Sequence, residues 1–158
     1  MDKELERQQG NLVFNPGFER DWGWVYFDET PVGFDRQTVH GGQRSVRIAG
    51  SQHGIKTRPL MIGVPRPNKP INLIPVGPKS RYVVRVWVHG QADLTCALFN
   101  KDLKFLGYRP IQQGGVEGRW QPLSGELVDL DPPAAYFGVE VCARQGQVYV
   151  DDASVYCP

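Results

Sequence analysis

Arg85, Trp87 and His89 alternate along the segment Arg81-Tyr82-Val83-Val84-Arg85-Val86-Trp87-Val88-His89-Gly90. Side chains of an extended chain point to opposite faces in turn, so these three and Val83 share one side while Tyr82, Val84, Val86 and Val88 share the other. A guanidinium, an indole and an imidazole in succession can grip a ligand through planar hydrogen bonding and an apolar ring face. They supply no paired carboxyls, no activated nucleophile and no phosphate cradle. Gly77-Pro78-Lys79-Ser80 lacks both the first glycine and the Gly-Lys adjacency of a phosphate loop, and no serine nucleophile elbow or metalloprotease helix is present.

Other residues join this set by parity. Val46 and Ile48 turn one way in Arg44-Ser45-Val46-Arg47-Ile48-Ala49, which turns Arg47 the other way. Phe137, Val139, Val141 and Ala143 alternate with Gly138, Glu140, Cys142 and Arg144, which puts Glu140 outward, and Gln121 is a further candidate. Asp21 to Phe27 holds Trp22, Trp24, Tyr26 and Phe27, more aromatic surface than one short strand needs, and makes Trp22, Trp24 and Tyr26 a second candidate ligand site. Simpler roles stand beside these. Trp87 fits equally a strand tryptophan covered by a loop, and Arg47 and Arg85 fit cross-strand partners of Glu140 worth about 0.2–1 kcal/mol. His89 fits a solvated strand end better than a catalyst.

The elements that must position these residues are short strands. Eighteen glycines and thirteen prolines punctuate β-branched and aromatic runs at intervals of about 8–12 residues, the pattern of an all-β sandwich or barrel. Strands are expected around residues 82–89, 94–100, 105–109, 120–127, 137–144 and 147–156, with Leu94, Cys96 and Leu98 inward. Val148 and Val150 share parity that Val155 breaks, which predicts a bulge or kink at Asp151-Asp152. Six prolines between Pro59 and Pro78 exclude a helix and a central strand, leaving a long ordered loop or an edge in which Ile71 to Ile74 can pair briefly. A strand with one wet face belongs to an antiparallel sheet, so the fold class is all-β and antiparallel.

The 158 residues suit one domain with a sizeable core. A net charge of +1 gives no long-range pull toward nucleic acid or an anionic bilayer. Cys96, Cys142 and Cys157 form no Cys-x-x-Cys pair, so zinc and dithiol redox chemistry are poorly supported. Residues 1–10 are polar and charged, lack the apolar run of a leader peptide and read as a tail or linker before a domain over 11–158. No run is long enough for a membrane-spanning helix.

Taken together, Asn11-Leu12-Val13-x-Asn15-Pro16-Gly17-Phe18-Glu19, Gly42-x-x-Ser45-Val46-Arg47-Ile48, the Trp87 strand, Trp120-x-x-Leu123-Ser124-Gly125 and Val148-Tyr149-Val150-Asp151-Asp152-Ala153-Ser154-Val155 resemble, in order, the β-jelly-roll carbohydrate-binding modules of families 4, 9 and 22, within the galactose-binding-like group. The resemblance spans Asn11 to Tyr156. It implies a two-sheet antiparallel β-sandwich, a packing role for Trp120, and a structural Ca²⁺ held by Glu19, the Gln43 carbonyl and Asp151 or Asp152. Such an oxygen-rich set suits calcium. The bland alternative makes Glu19 a turn residue and the Asp pair a solvated bulge.

The resemblance also implies a non-catalytic module that binds a polysaccharide or oligosaccharide through Arg47, Arg85, Trp87, His89 and Glu140 on a concave sheet face, with Trp22, Trp24 and Tyr26 as walls. Its partners would be the glycan and a linked catalytic domain, with neither nucleic acid nor membrane insertion, and its setting extracellular or at a cell surface. Glycoside cleavage needs two carboxyls about 5–10 Å apart, and only Glu140 is expected on that face. A structural sandwich packing on a neighbouring domain is the alternative. A small lyase or hydrolase using His89, Arg85 and Tyr26 is a weaker third.

Overall fold

The computed structural model describes residues 10–13, 17–19, 32–49, 59–66, 70, 72–77 and 81–158. Within them the alternating runs form eight antiparallel strands: β1 (Val32–Asp35), β2 (Ser45–Ala49), β3 (Leu60–Met61), β4 (Ile74–Pro75), β5 (Tyr82–Phe99), β6 (Phe105–Gly114), β7 (Trp120–Leu127) and β8 (Tyr136–Tyr156). The expected 82–89 and 94–100 segments are one strand, as are 137–144 and 147–156. β5 and β8 run antiparallel along their lengths, with Val83 opposite Tyr156 at one end and Phe99 opposite Tyr136 at the other.

A straight 18-residue strand would be about 60 Å long. Yet the ring of Tyr82, first in β5, lies 4.9 Å from that of Phe137, which faces Leu98 near the other end. The Tyr82 hydroxyl also donates to the Pro75 carbonyl at 2.9 Å and accepts from Gly77 N–H at 3.0 Å. Pro75 in turn pairs with Tyr136. The β5–β8 ribbon is therefore folded back on itself. Its first half, with β7 on one side and β2 and β1 on the other, makes one sheet; its second half, with β6 on one side and β3 and β4 on the other, makes the second. Val84, Val86 and Val88 of the first sheet share a single core with Leu94, Cys96, Val139 and Val141 of the second. This is the two-sheet antiparallel sandwich that the sequence predicts.

The corner falls at Gly90, where the β5–β8 register shifts on both sides of Gln91. Gly90 has φ +118°, and a Cβ there would lie 2.9 Å from the Gln147 carbonyl oxygen. Only glycine takes that backbone without strain. Gly90 N–H is not lost to the bend, since it donates to the Val116 carbonyl at 3.0 Å.

The kink expected at the Asp pair is present. Val148 and Val150 are buried, then Ala153 and Val155, and Asp152 between them has φ +47°. Leu94 and Cys96 are buried as expected, and Leu98 is half-buried but packs against the core opposite Phe137, while its neighbours Ala97 and Phe99 are buried as well where the β5–β6 register shifts between Leu98 and Phe99. The proline-rich stretch supplies two two-residue edge strands, and the pairing expected at 71–74 falls on Ile74 and Pro75. All three cysteines are free, with Cys96 buried, Cys142 half-buried and Cys157 exposed. The tail or linker expected over residues 1–10 lies outside the described residues except for Gly10.

Gly90→Ala is expected to destabilise the domain by about 1–3 kcal/mol. Denaturant unfolding checks this, and a loss below about 0.5 kcal/mol would show that the corner tolerates a side chain.

Candidate functional site

Folding the ribbon separates its outward residues into two opposite surfaces. On the first sheet, Arg47 faces Tyr149 across β2 and β8, Tyr149 faces His89 across β8 and β5, and His89 faces Trp120 across β5 and β7. Directly paired residues of antiparallel strands emerge on the same side, so these four form one row. Strands lie about 4.8 Å apart, which makes the row about 14 Å long from Arg47 to Trp120. All four are half-buried, as expected of large side chains lying side by side on a sheet.

Rings dominate the row. His89 meets Trp120 edge to face at 5.7 Å and Tyr149 edge to face at 5.4 Å. Arg47 runs out beside the edge strand, where a Cβ on Gly33 would stand 2.7 Å from its guanidinium. Glycine at that point leaves the guanidinium room. Arg85 sits four residues from His89 along β5, exposed, 5.8 Å from the Trp87 ring centre. Among the described residues neither Arg47 nor Arg85 is paired with a carboxylate, so the cross-strand pairing with Glu140 weighed from the sequence does not form.

Trp87 is half-buried on this side but not an open platform. The His40 ring stacks on it, with centres 3.9 Å apart and planes 18° from parallel, and meets Trp120 at 5.6 Å. His40 belongs to the loop between β1 and β2, which Asp151 holds in place. The Asp151 carboxylate, fully buried, accepts from the N–H groups of His40 and Gly41, each at 3.1 Å, and from Asp152 N–H at 2.9 Å. Burial pushes the Asp151 carboxyl up to about 7, against the three hydrogen bonds and with the neighbouring Asp152 adding to the rise.

The other expected metal-site residues lie beside this loop. Glu19 Oε1 accepts from Gln43 N–H at 2.8 Å, and Asp152 Oδ2 lies 2.5 Å from His40 Nδ1. A Cβ on Gly41 would stand 2.7 Å from Asp152 Oδ2, and one on Gly42 would run into Glu19 Oε1. Among the described residues, no group of three or more His, Cys, Asp or Glu side chains is gathered as a ready metal cage.

Glu140 is not part of the row. It faces Thr95 across β5 and Met61 across β3, in the second sheet, and so opens on the opposite surface of the sandwich. The sequence places it outward correctly but cannot reveal that the ribbon folds between Tyr149 and Glu140. Gln121 faces Val88 and so falls on the inner side. Trp22, Trp24 and Tyr26 lie outside the described residues. Sequence reasoning missed Tyr149, whose outward position follows from the buried Val148 and Val150, and His40, whose place over Trp87 no local pattern signals. Trp120, expected only to pack, closes the row.

Asp151→Ala would leave two loop N–H groups without an acceptor, at about 1–3 kcal/mol each. Lower unfolding stability and faster amide exchange at His40 and Gly41 are expected; unchanged exchange at both would show that the loop is held by other means.

No protein-family model and no curated protein matches the sequence. Solved structures do match its fold. A xylan-binding domain from carbohydrate-binding family 22 is 14% identical with a TM-score of 0.68, over 95% of this chain and 96% of that one. The CBM22-1 and GH10 modules of a Clostridium thermocellum endo-1,4-beta-D-xylanase, complexed with xylohexaose, match at 12% identity and a TM-score of 0.64, over 94% of this chain and 28% of that one. A family 16 carbohydrate-binding module matches at 17% identity and a TM-score of 0.61, over 92% of this chain and 99% of that one. The chain thus has the β-jelly-roll fold found in these carbohydrate-binding modules.

Proposed function

We propose that this domain is a non-catalytic carbohydrate-binding module that takes a polysaccharide or oligosaccharide chain along the outer face of its first sheet. The observation that carries this reading is the row Arg47, Tyr149, His89, Trp120. Aromatic faces meet the apolar C–H side of a pyranose while the guanidinium and imidazole take hydroxyl hydrogen bonds. A row about 14 Å long suits several linked rings rather than one. Arg85 extends the surface, and Trp87 backs it through His40. The row itself contains no carboxylate, whereas glycoside cleavage requires two at the scissile bond. Xylan-type β-1,4 chains are the first ligands to try, because the family 22 neighbours bind xylan or xylohexaose.

A structural Ca²⁺ belongs to the same reading. Asp151 spends its oxygens on backbone N–H groups, which makes Glu19 and Asp152 the better ligands, with Gln43 offering its carbonyl. Gly41 and Gly42 leave the cradle open, since a side chain on either would collide with those two carboxylates. Two carboxylates and loop carbonyls are the hard oxygen donors calcium prefers. The ion would tie the β1–β2 loop to β8 and so hold His40 over Trp87. Attachment to a catalytic domain and an extracellular setting follow from the proposed role, in which tethering raises the effective concentration of an enzyme on its polysaccharide.

Titration with xylohexaose is expected to give saturable binding that Trp120→Ala and Arg47→Ala each weaken about tenfold or more. Full affinity in both folded variants would remove the row from recognition. For the metal, saturating Ca²⁺ is expected to raise Tm by about 5–10 °C over the chelated protein. The combined Glu19→Gln and Asp152→Asn variant should lose that rise, and an equal rise in it would place the ion elsewhere.

A further inference from the structure

Two arginines emerge on the outer face of the first sheet, Arg47 from β2 and Arg85 from β5, with Cα atoms about 16 Å apart by strand spacing and rise per residue. Ser124 of β7 and Ser154 of β8 stand directly opposite Arg85 on either side, so its stem rises between two short hydroxyl side chains. Arg85 is exposed, and its guanidinium lies 5.8 Å from the Trp87 ring centre. Arg47 has its own room, where Gly33 carries no Cβ to crowd the guanidinium.

The carboxylates of this region are engaged by other cations. Glu126, opposite Val83 and therefore on the same face, is paired with Arg81. Asp152 Oδ2 meets His40 Nδ1 at 2.5 Å. Among the described residues the ion pairs thus leave both Arg47 and Arg85 without a carboxylate partner. A guanidinium in that position presents a rigid fork of donors matched to a planar carboxylate, and two of them beside His89 give the face a local pull on anions that the near-zero net charge of the chain does not express.

We propose that the glycan taken by this face is acidic, a β-1,4-linked chain of uronic acid residues whose ring carboxylates are met by Arg85 and Arg47. The inference rests on the glycan row of the first sheet and names its substrate class. A β-1,4-linked glucuronate chain is a xylan chain with a carboxylate on C5 of every ring, so the rings that suit Tyr149, His89 and Trp120 are kept while each arginine gains a partner. Arg85 holds one carboxylate through its fork, with the Ser124 and Ser154 hydroxyls at hand as further donors. Arg47 takes a carboxylate on a different ring, since the separation of the two arginines exceeds one sugar. A single exposed ion pair contributes little, but two forks on one chain act together.

The test titrates the whole chain, by calorimetry and amide NMR, with three hexamers of one linkage: xylohexaose, cellohexaose, which carries a neutral hydroxymethyl on C5, and the β-1,4-linked glucuronate hexamer. The glucuronate hexamer is expected to bind about tenfold or more tighter than cellohexaose, to shift Arg85, Ser124 and Ser154 as well as Tyr149 and Trp120, and to lose its advantage as salt is added. Arg85→Gln should cut the ratio of the two affinities about tenfold, and Arg47→Gln provides a second variant read by the same ratio. Equal affinity for glucuronate and cellohexaose, with xylohexaose still shifting Tyr149 and Trp120, overturns this proposal and leaves the glycan row standing. Shifts confined to the second sheet with all three hexamers overturn both. An undiminished ratio in both folded variants overturns the assignment to these arginines, and a sulfated xylohexaose that binds as tightly as the glucuronate hexamer overturns the preference for a carboxylate.

Discussion

The fold-back of the β5–β8 ribbon is the constraint on which everything else rests. One pair of long strands serves both sheets, so the contact of Tyr82 with Phe137 closes the sandwich and the glycine at position 90 permits the turn. Hydrophobic burial drives the closure, because it brings Val84, Val86 and Val88 into one core with Leu94, Cys96, Val139 and Val141 of the second half and with Leu60, Ile62 and Ile74 beside it. Each sheet is completed by shorter strands added at its edges. The two outer faces are then simply the outsides of the two halves, and their separation is a direct result of the fold.

This explains what was readable in the sequence and what was not. Alternation is local, so the inward and outward sides of β5 and β8 follow from residue order, including the break at Asp151 and Asp152, where two polar residues interrupt a valine pattern. Glu140 shows the limit. Its outward direction is legible, but the surface it reaches depends on a corner several residues away, at a place where Gly146 and Gly90 look like ordinary turn residues. His40 over Trp87 is a contact between a loop and a strand more than forty positions apart, for which neither residue carries a signal. Tyr149 was legible and overlooked, since a tyrosine between two inward valines has to point out. The aromatic segment holding Trp22, Trp24 and Tyr26 lies outside the described residues, so its expected role as a wall of the groove stays a matter of sequence alone.

Polar groups divide into two kinds. Asp151 is buried and satisfied, with three backbone N–H groups fixing its oxygens, and it acts as a peg that holds a loop against a sheet. Glu140 is buried too, but it lines an open groove and takes no hydrogen bond from the described residues. Both carboxyls are pushed to about 7, yet for the first the surrounding chain supplies the donors and for the second it does not.

The residues around position 11 bear on how such a domain would carry load. Asn11 donates from its amide to the Ala153 carbonyl and accepts from Val155 N–H, while Leu12 N–H donates to the Val155 carbonyl. The incoming and outgoing chain are laced together at one spot on the sandwich. Segments attached ahead of residue 11 and behind residue 155 would leave from neighbouring points, so the domain hangs as a pendant rather than standing in line. Tension between those attachments would load that lacing and the end of β8 where Val155 pairs with Val84.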